Sequence, residues 1–337
     1  MQTKQTGQGG QIVLLGTGGT ISGLASDPSD HLGYVAGQRS VQELCVSAPG
    51  WDRALDGHSL HVEQVAQLDS KDMDFATWQA LALRCAHWLA QDQVRGLVIT
   101  HGTDTLEETA YFLQAALAPN KPVVLTCAMR PASAVSADGP QNLLDAFTLA
   151  VDAQASGVMV VCAGVVHEAL AVQKVHTYQL NAFGSGDAGP LAHVRQMRVR
   201  WVRPPGAKAR TAPALPLNLI AQAHDLPRVE IVLSHACARA QTVRALLADG
   251  AQALVVAGTG NATVHHALEA ALIQAQQHGV RVLRTTRCVA GDAQALPGAA
   301  LPVAAGLSAV KARIGLALEL LAQQAGVNWT APAMPAP

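Results

Sequence analysis

The chain has 337 residues, of which 50% are hydrophobic and 14% charged, and its formal net charge is −1. That length and apolar content are enough to bury one large core or two modest ones. A balance so close to neutral excludes a global polyanion binder, so neither nucleic acid nor an acidic membrane is an expected partner.

Residues 1–10, MQTKQTGQGG, contain no apolar run of the kind a secretory leader needs and read as a flexible start. From residue 11 to 192, short apolar runs alternate with helical patterns. The strand candidates are Gln11–Leu15, His61–Leu68, Gly96–Thr100, Pro122–Thr126 and Gly157–Cys162. The helical candidates between them are Met73–Ala90, Leu106–Leu117 and Asn142–Gln154. Continuous apolar strands separated by helices imply a parallel-rich sheet covered on both faces. Residues 193–227 break the rhythm with Pro204, Pro205, Pro213, Pro216 and Pro227 and a cluster of arginines, and read as an ordered linker with one short strand, Gln196–Val202. The alternation then resumes over 228–326: strand Val229–Leu233, helix Ala240–Ala248, strand Ala253–Ala257, helix Ala262–Gln277, strand Val280–Thr285 and helix Ala309–Gln324. Residues 327–337 read as a flexible tail. The expected fold is thus α/β, with a larger N-terminal domain and a smaller C-terminal α/β domain.

The six cysteines, Cys45, Cys85, Cys127, Cys162, Cys237 and Cys288, are widely spaced and include no Cys-x-x-Cys. Buried free thiols in a reducing compartment are expected, with a cytoplasmic location. His167-Glu168 is not followed by a second histidine at the spacing of a zinc helix, and no metal site is expected.

Two strand ends carry chemistry. The strand Ile12–Leu15 runs into Gly16-Thr-Gly-Gly-Thr20-Ile-Ser22. Its glycines permit a tight turn with amides aimed at a ligand. A phosphate cradle does not fit, because position 21 is isoleucine and no Gly-Lys-Ser/Thr follows. What remains is a hydroxyl, Thr20, beside backbone amides, which suits a nucleophile next to an oxyanion site; a strand-end Gly-Gly-Thr also serves simply as a turn. The second strand, Gly96–Thr100, ends in His101-Gly-Thr103-Asp104-Thr105, and Thr105 with Glu108 fits a capping box. In a parallel sheet both clusters lie at the same edge, where open α/β sheets bind ligands.

Leu15-Gly-Thr-Gly-Gly-Thr-Ile-Ser22 and Gly96-Leu-Val-Ile-Thr-His-Gly-Thr-Asp-Thr-Leu106 resemble the two signature motifs of the bacterial-type L-asparaginases. Lys121–Pro131, Ser136–Pro140 and Val172-Gln-Lys174-Val-His-Thr177 look like the same family, and the resemblance runs from about Gln11 to Ala325. It implies a cofactor-free threonine amidohydrolase that cleaves L-asparagine to L-aspartate and ammonia through an acyl-enzyme, with a role in asparagine catabolism. It also implies a homodimer or homotetramer whose sites are completed by a neighbouring subunit. By the same resemblance Thr20 is the nucleophile and Tyr34 lies over it on a loop. Thr103, Asp104 and Lys174 form a second catalytic group. Ser70 binds the substrate carboxylate, Asp104 the ammonium, and Asn261 approaches the neighbour's site.

The pattern departs at two places. Lys71 stands where secreted members have glutamine; it either repels the substrate ammonium, grips the carboxylate, pairs with Asp69 or Asp72, or lies in solvent. The segment Arg287–Pro297 is short and lacks a glutamate that those members direct at the ammonium, Asp292 being its only carboxylate. Weaker asparagine binding, or preference for another small amide, follows from both. The alternatives are a glutaminase-asparaginase, an amidotransferase subunit built on the same domain, and an inactive amino-acid sensor.

Overall fold

Ile12, Val13, Leu14 and Leu15 are all fully buried, as a central strand covered on both faces requires. They form the heart of β1 (Gln11–Gly18). The computed structural model describes residues 9–203, 205, 213–304 and 306–334, and the chain divides into two units, 1–217 and 218–337.

In the first unit, β2 (Leu24–Ala25) and β3 (Tyr34–Val35) make a small hairpin, followed by α1 (Val41–Val46), α2 (Trp51–Ala54) and β4 (Ser59–Leu68). Then come α3 (Phe75–Leu89), β5 (Val94–Thr100), α4 (Leu106–Leu117), β6 (Pro122–Thr126), α5 (Gly139–Val151), β7 (Gly157–Cys162) and β8 (Val165–Glu168). The short β9 (Gln173–Lys174) pairs with β10 (Phe183–Gly184), and β11 (Ala192–Arg195) and β12 (Arg198–Trp201) close the series. The eight-stranded sheet has the order β12-β11-β8-β7-β6-β5-β1-β4. From β4 to β7 the pairing is parallel, and β7, β8, β11 and β12 continue it antiparallel. One face packs on α1, α2 and α5 through Ile12, Leu14, Val41, Val98, Phe147 and Met159. The other carries α3 and α4, with Trp78 stacked on Phe112 at a ring separation of 4.8 Å.

The connection from β1 leads to β4 on one side, and the chain then crosses to β5 on the other side of β1 before continuing to β6 and β7. The order reverses between β1 and β5. Connections leaving opposite ways open a crevice at the carboxyl ends of those two strands.

Helix α6 (Leu217–Gln222) begins at the last residue of the first unit, and the second unit has a three-stranded parallel sheet, β13 (Val229–Leu233), β14 (Ala253–Gly258) and β15 (Arg281–Thr286). Helices α7 (Ala240–Ala248), α8 (His266–Gln277) and α9 (Ala309–Gln324) pack on it.

Several sequence expectations shift. The helix expected from Asn142 starts at Gly139, because Pro140 suits the first helical turn, and stops at Val151, where Asp152 turns extended. The helix expected from Ala262 starts at His266, since Thr259 and Thr263 bridge across a tight turn first. The expected strand Gln196–Val202 is instead the second arm of a hairpin that extends the large sheet. Four cysteines are buried free thiols as expected, but Cys237 and Cys288 are exposed. The tail expected to be flexible is partly held: Trp329 is buried, and the Ala331 amide donates to Glu319 Oε1 at 3.0 Å. Residues 335–337 of that tail, and residues 1–8, lie outside the described residues.

Candidate active site

The ends of β1 and β5 meet backbone to backbone. Gly19 has φ 82°, and a methyl group on it would overlap the Cα and N of Gly102. Only glycine permits both that conformation and that approach. After Gly19 the chain makes a short 3-10 turn, Thr20–Ser22, and Thr20 is buried. The β2–β3 hairpin returns over it, pairing Ala25 with Tyr34, and is tied down by Gln38 and Arg39 amides donating to Ser22 O at 2.8 and 2.9 Å. Tyr34 Oη consequently lies 2.7 Å from Thr20 Oγ1, with either oxygen able to donate. Burial raises the Tyr34 pKa above its usual 10, and the carboxylates of Asp69 and Asp104 push the same way, so the phenol is protonated at neutral pH.

The second cluster follows β5. Thr103 is buried, and Lys174 Nζ donates to its Oγ1 at 2.8 Å while pairing with Asp104 Oδ1 at 2.6 Å. Lys174 comes from β9, seventy residues further along, held there by its pairing with Phe183. Ser70 is buried between the two turns: its Oγ accepts from the Asp104 amide at 3.2 Å. The Thr105 hydroxyl donates to Ser70 O at 2.7 Å rather than capping α4, so the capping box expected from Thr105 and Glu108 is not formed. Among the described residues, neither the Thr20 amide nor the Thr103 amide finds a hydrogen-bond acceptor. Two unsatisfied N–H groups beside two hydroxyls make a place where negative charge is welcome.

Three supports escaped the sequence reading. His101 is fully buried, and burial pushes its imidazole down to about 4. Its Nδ1 lies 2.7 Å from Gly102 O and its Nε2 lies 2.9 Å from Thr109 Oγ1, which also receives Trp78 Nε1 at 2.8 Å. A carbonyl only accepts, so Nδ1 carries the proton and Thr109 donates to Nε2. Asn142 binds Cys127 O and receives the Ala163 amide, each at 2.9 Å, and Asp138 accepts from the Met129 and Arg130 amides at 2.9 Å. Such polar residues beside turns are a legible sign of loop anchoring, but no periodicity says which loop they reach.

This arrangement can be set against known proteins. Residues 11–206 match the family description "Asparaginase, N-terminal", and residues 228–327 match "Glutaminase/Asparaginase C-terminal domain". The chain belongs to the asparaginase family. It is 34% identical over 282 residues to L-asparaginase 2 of Escherichia coli (strain K12), covering 83% of this chain and 78% of that protein. It is 33% identical over 282 residues to the glutaminase-asparaginase of Pseudomonas fluorescens biotype A, covering 83% and 76%. A crystal structure of a probable cytoplasmic L-asparaginase from Campylobacter jejuni superposes with a TM-score of 0.85 at 35% identity, over 92% of this chain and 95% of that one.

Two asparaginase-family positions differ in setting from the rest. Lys71 is largely exposed and turns to Asp72 and, at 3.8 Å, to Asp69. Asn261, in the second unit, is exposed and locked to the segment after β15: its Oδ1 accepts from the Gln294 amide at 2.5 Å and its Nδ2 donates to Gln294 O at 3.3 Å. The structure brings Thr20, Tyr34, Ser70, Thr103, Asp104 and Lys174 together on the first unit. Asn261 and Asp292 belong to the second.

Proposed function

We propose that the protein hydrolyses L-asparagine to L-aspartate and ammonia. The observation that carries this is the pairing at the β1/β5 crevice: one threonine hydroxyl against a tyrosine, the other against a lysine–aspartate pair.

Thr20 Oγ1 attacks the side-chain amide carbon, ammonia leaves, and water cleaves the resulting ester. A threonine hydroxyl needs a route for its proton. Tyr34 offers one, since a neutral phenol accepts at its oxygen while donating its own proton to the departing amide nitrogen, which leaves as ammonia. The cationic Lys174 amine beside Thr103 stabilises negative charge developing on a hydroxyl there. The free amides of Thr20 and Thr103 receive the oxyanion, the interaction that grows most from ground state to transition state. A zwitterionic substrate also needs opposite poles. Asp104 is half exposed and supplies the anion for the ammonium, while the Ser70 hydroxyl lies beside it for the carboxylate.

A second reading, a dual glutaminase-asparaginase, is favoured by the similarity to the Pseudomonas fluorescens enzyme. The two substrates differ by one methylene, a difference a pocket resolves only about 10- to 200-fold. Ammonia release from L-asparagine, L-glutamine and D-asparagine, measured on the wild type and Thr20→Ala, tests both readings. Release from L-asparagine alone supports the first. Comparable release from L-glutamine supports the second. No release from any amide leaves an amino-acid-binding protein.

Our reading includes a homodimer or homotetramer in which Asn261 is offered to a neighbour's site. Exposed Leu32 and Val35, on the hairpin that carries Tyr34, support it. Light scattering of the purified chain tests it, a monomer overturning it. A cytoplasmic location is proposed on the free thiols and the similarity to the Campylobacter jejuni protein.

A further inference from the structure

At the end of the large sheet farthest from β4, β11 and β12 are joined by Gln196 and Met197, both with positive φ (50° and 55°). This is a two-residue hairpin turn of the kind normally built from Asn and Gly. Met197 tolerates it because its side chain packs on the core beside Val199 and Trp201. The tight turn fixes the register: Arg195 faces Arg198, Val194 faces Val199, and His193 faces Arg200. Alternation then sorts the side chains. Val194, Val199 and Trp201 point to the core, and His193, Arg195, Arg198 and Arg200 share the opposite face.

Arg195, Arg198 and Arg200 are exposed, and among the described residues none has an ion pair or side-chain hydrogen bond. Arg203, a few residues on, is by contrast paired with Glu168 at 3.2 Å. Like charges directly opposite each other are destabilising. Charged side chains guard a sheet edge; three arginines on one face, two of them directly opposite each other, in a chain with 24 acidic residues to draw on, exceed that need. Among the described residues, no strand pairs with the outer edge of β12. In a two-residue hairpin the residues flanking the turn exchange both hydrogen bonds, so Arg198 and Arg200 bond inward to β11, and the N–H and C=O of Val199 and Trp201 face outward. Two copies of this edge pairing antiparallel about Val199 or Arg200 would again set arginine against arginine.

We infer that β12 is a docking edge for an extended segment of an acidic partner protein, with carboxylates at alternate positions and apolar residues between them. An antiparallel strand laid on β12 bonds to the backbone of Val199 and Trp201. Its residues opposite Arg198 and Arg200 then occupy the closely spaced, non-hydrogen-bonded positions, where opposite charges sit nearest. Its intervening residues continue the apolar surface of Val199 and Trp201. Main-chain bonds supply affinity and the alternating side chains supply selection.

The test uses the full-length protein and a fluorescein-labelled peptide of alternating glutamate and valine, followed by anisotropy at low salt. Expected is saturable binding that weakens at least tenfold when the same residues are put in block order, and as much when the peptide amides facing β12 are N-methylated. The double variant Arg198→Glu/Arg200→Glu is expected to lose this peptide and bind the lysine–valine counterpart, with asparagine turnover unchanged. Equal binding of the block-order or N-methylated peptide reduces the patch to unspecific charge attraction and overturns the inference. Absence of binding at millimolar peptide overturns it too.

Discussion

Asp145 lies on α5 with 4% of its surface exposed, and its Oδ1 accepts from Gln141 Nε2 at 2.8 Å. Burial pushes its carboxyl up from an ordinary 3.8 to about 6, against the smaller opposing effect of Gln141. Between those two values the folded chain holds more protons than the unfolded one, so stability falls as pH rises through the window. Above it the full cost is present, about 3 kcal/mol at about 1.36 kcal/mol per pH unit. Asp145→Asn keeps an acceptor for Gln141 and removes the ionisation. The variant is therefore expected to match the wild type near pH 4 and to exceed it by about 3 kcal/mol at pH 7.5. His101 acts with the opposite sign. Its folded pKa of about 4 lies below the ordinary 6.5, so its contribution is complete above pH 6.5 and is lost as pH falls toward 4. In the wild type the two slopes oppose each other, and in the variant that of His101 is left uncompensated. Urea unfolding followed by circular dichroism, at one protein concentration from pH 4.5 to 8, measures the difference. A gain independent of pH, or larger at pH 4.5 than at 7.5, refutes the reasoning.

Four further outcomes are expected. Lys174→Met removes the amine from Thr103 and Asp104, and steady-state assays should show kcat falling on the order of 10²- to 10⁴-fold with KM changed far less; equal changes in both would make it a binding residue. Tyr34→Phe deletes the 2.7 Å partner of Thr20 and should lower kcat by about tenfold to a hundredfold, less than Thr20→Ala, with the melting temperature preserved. Gly102→Ala would drive a methyl into Ser70 Oγ; it should raise KM through the displaced Ser70 and cost about 1–3 kcal/mol in a denaturant titration. Lys71→Gln loses only two exposed ion pairs, to Asp69 and Asp72, so stability should stay within about 0.5 kcal/mol while KM for asparagine falls; an unchanged KM would put Lys71 out of the ammonium's range.

What could be read in advance follows from the physics of each element. Strands buried on both faces are unbroken apolar runs, which is why Pro122–Thr126 and Gly157–Cys162 have the same bounds in sequence and structure. The glycine-rich turn drew attention to Thr20, but a strand-end Gly-Gly-Thr also serves as a plain turn, and only the second strand-end cluster and the resemblance of both motifs made Thr20 a candidate nucleophile. The hairpin of β11 and β12 did not announce itself: Gln196-Met197 carries none of the usual turn residues, and its conformation is set by where Met197 packs. Thr105 misled for a related reason. Its spacing to Glu108 suits a cap, but its hydroxyl is taken by Ser70, a partner 35 residues away that local sequence does not reveal. The role of His101 was equally hidden, since burial alone makes it a neutral strut rather than a titrating group.

The parts of the site are held with different stiffness, and their division matches what each is asked to do. Thr20 and Thr103 follow strands whose ends touch through Gly19 and Gly102, with no side chain between them to adjust. The second turn is fixed further by the buried chain from Trp78 through Thr109 to His101. Their amides are thus pre-oriented, and preorganised donors stabilise an oxyanion without reorganising as charge develops. Tyr34 and Lys174 come instead from two-residue strands with few ladder bonds, β3 and β9. The Tyr34 hairpin also touches the Lys174 segment through a contact of His31 Nδ1 with Tyr178 Oη at 3.2 Å. In the proposed mechanism, opening the Tyr34 arm withdraws the proton relay and opening the Lys174 arm withdraws a cation, while the amides proposed to hold the oxyanion stay in place. If so, a variant that loosens the hairpin, such as His31→Ala, should change KM and kcat together through closure. A variant that disturbs the rigid turns without displacing Ser70 should lower kcat alone, because only the transition state uses their amides.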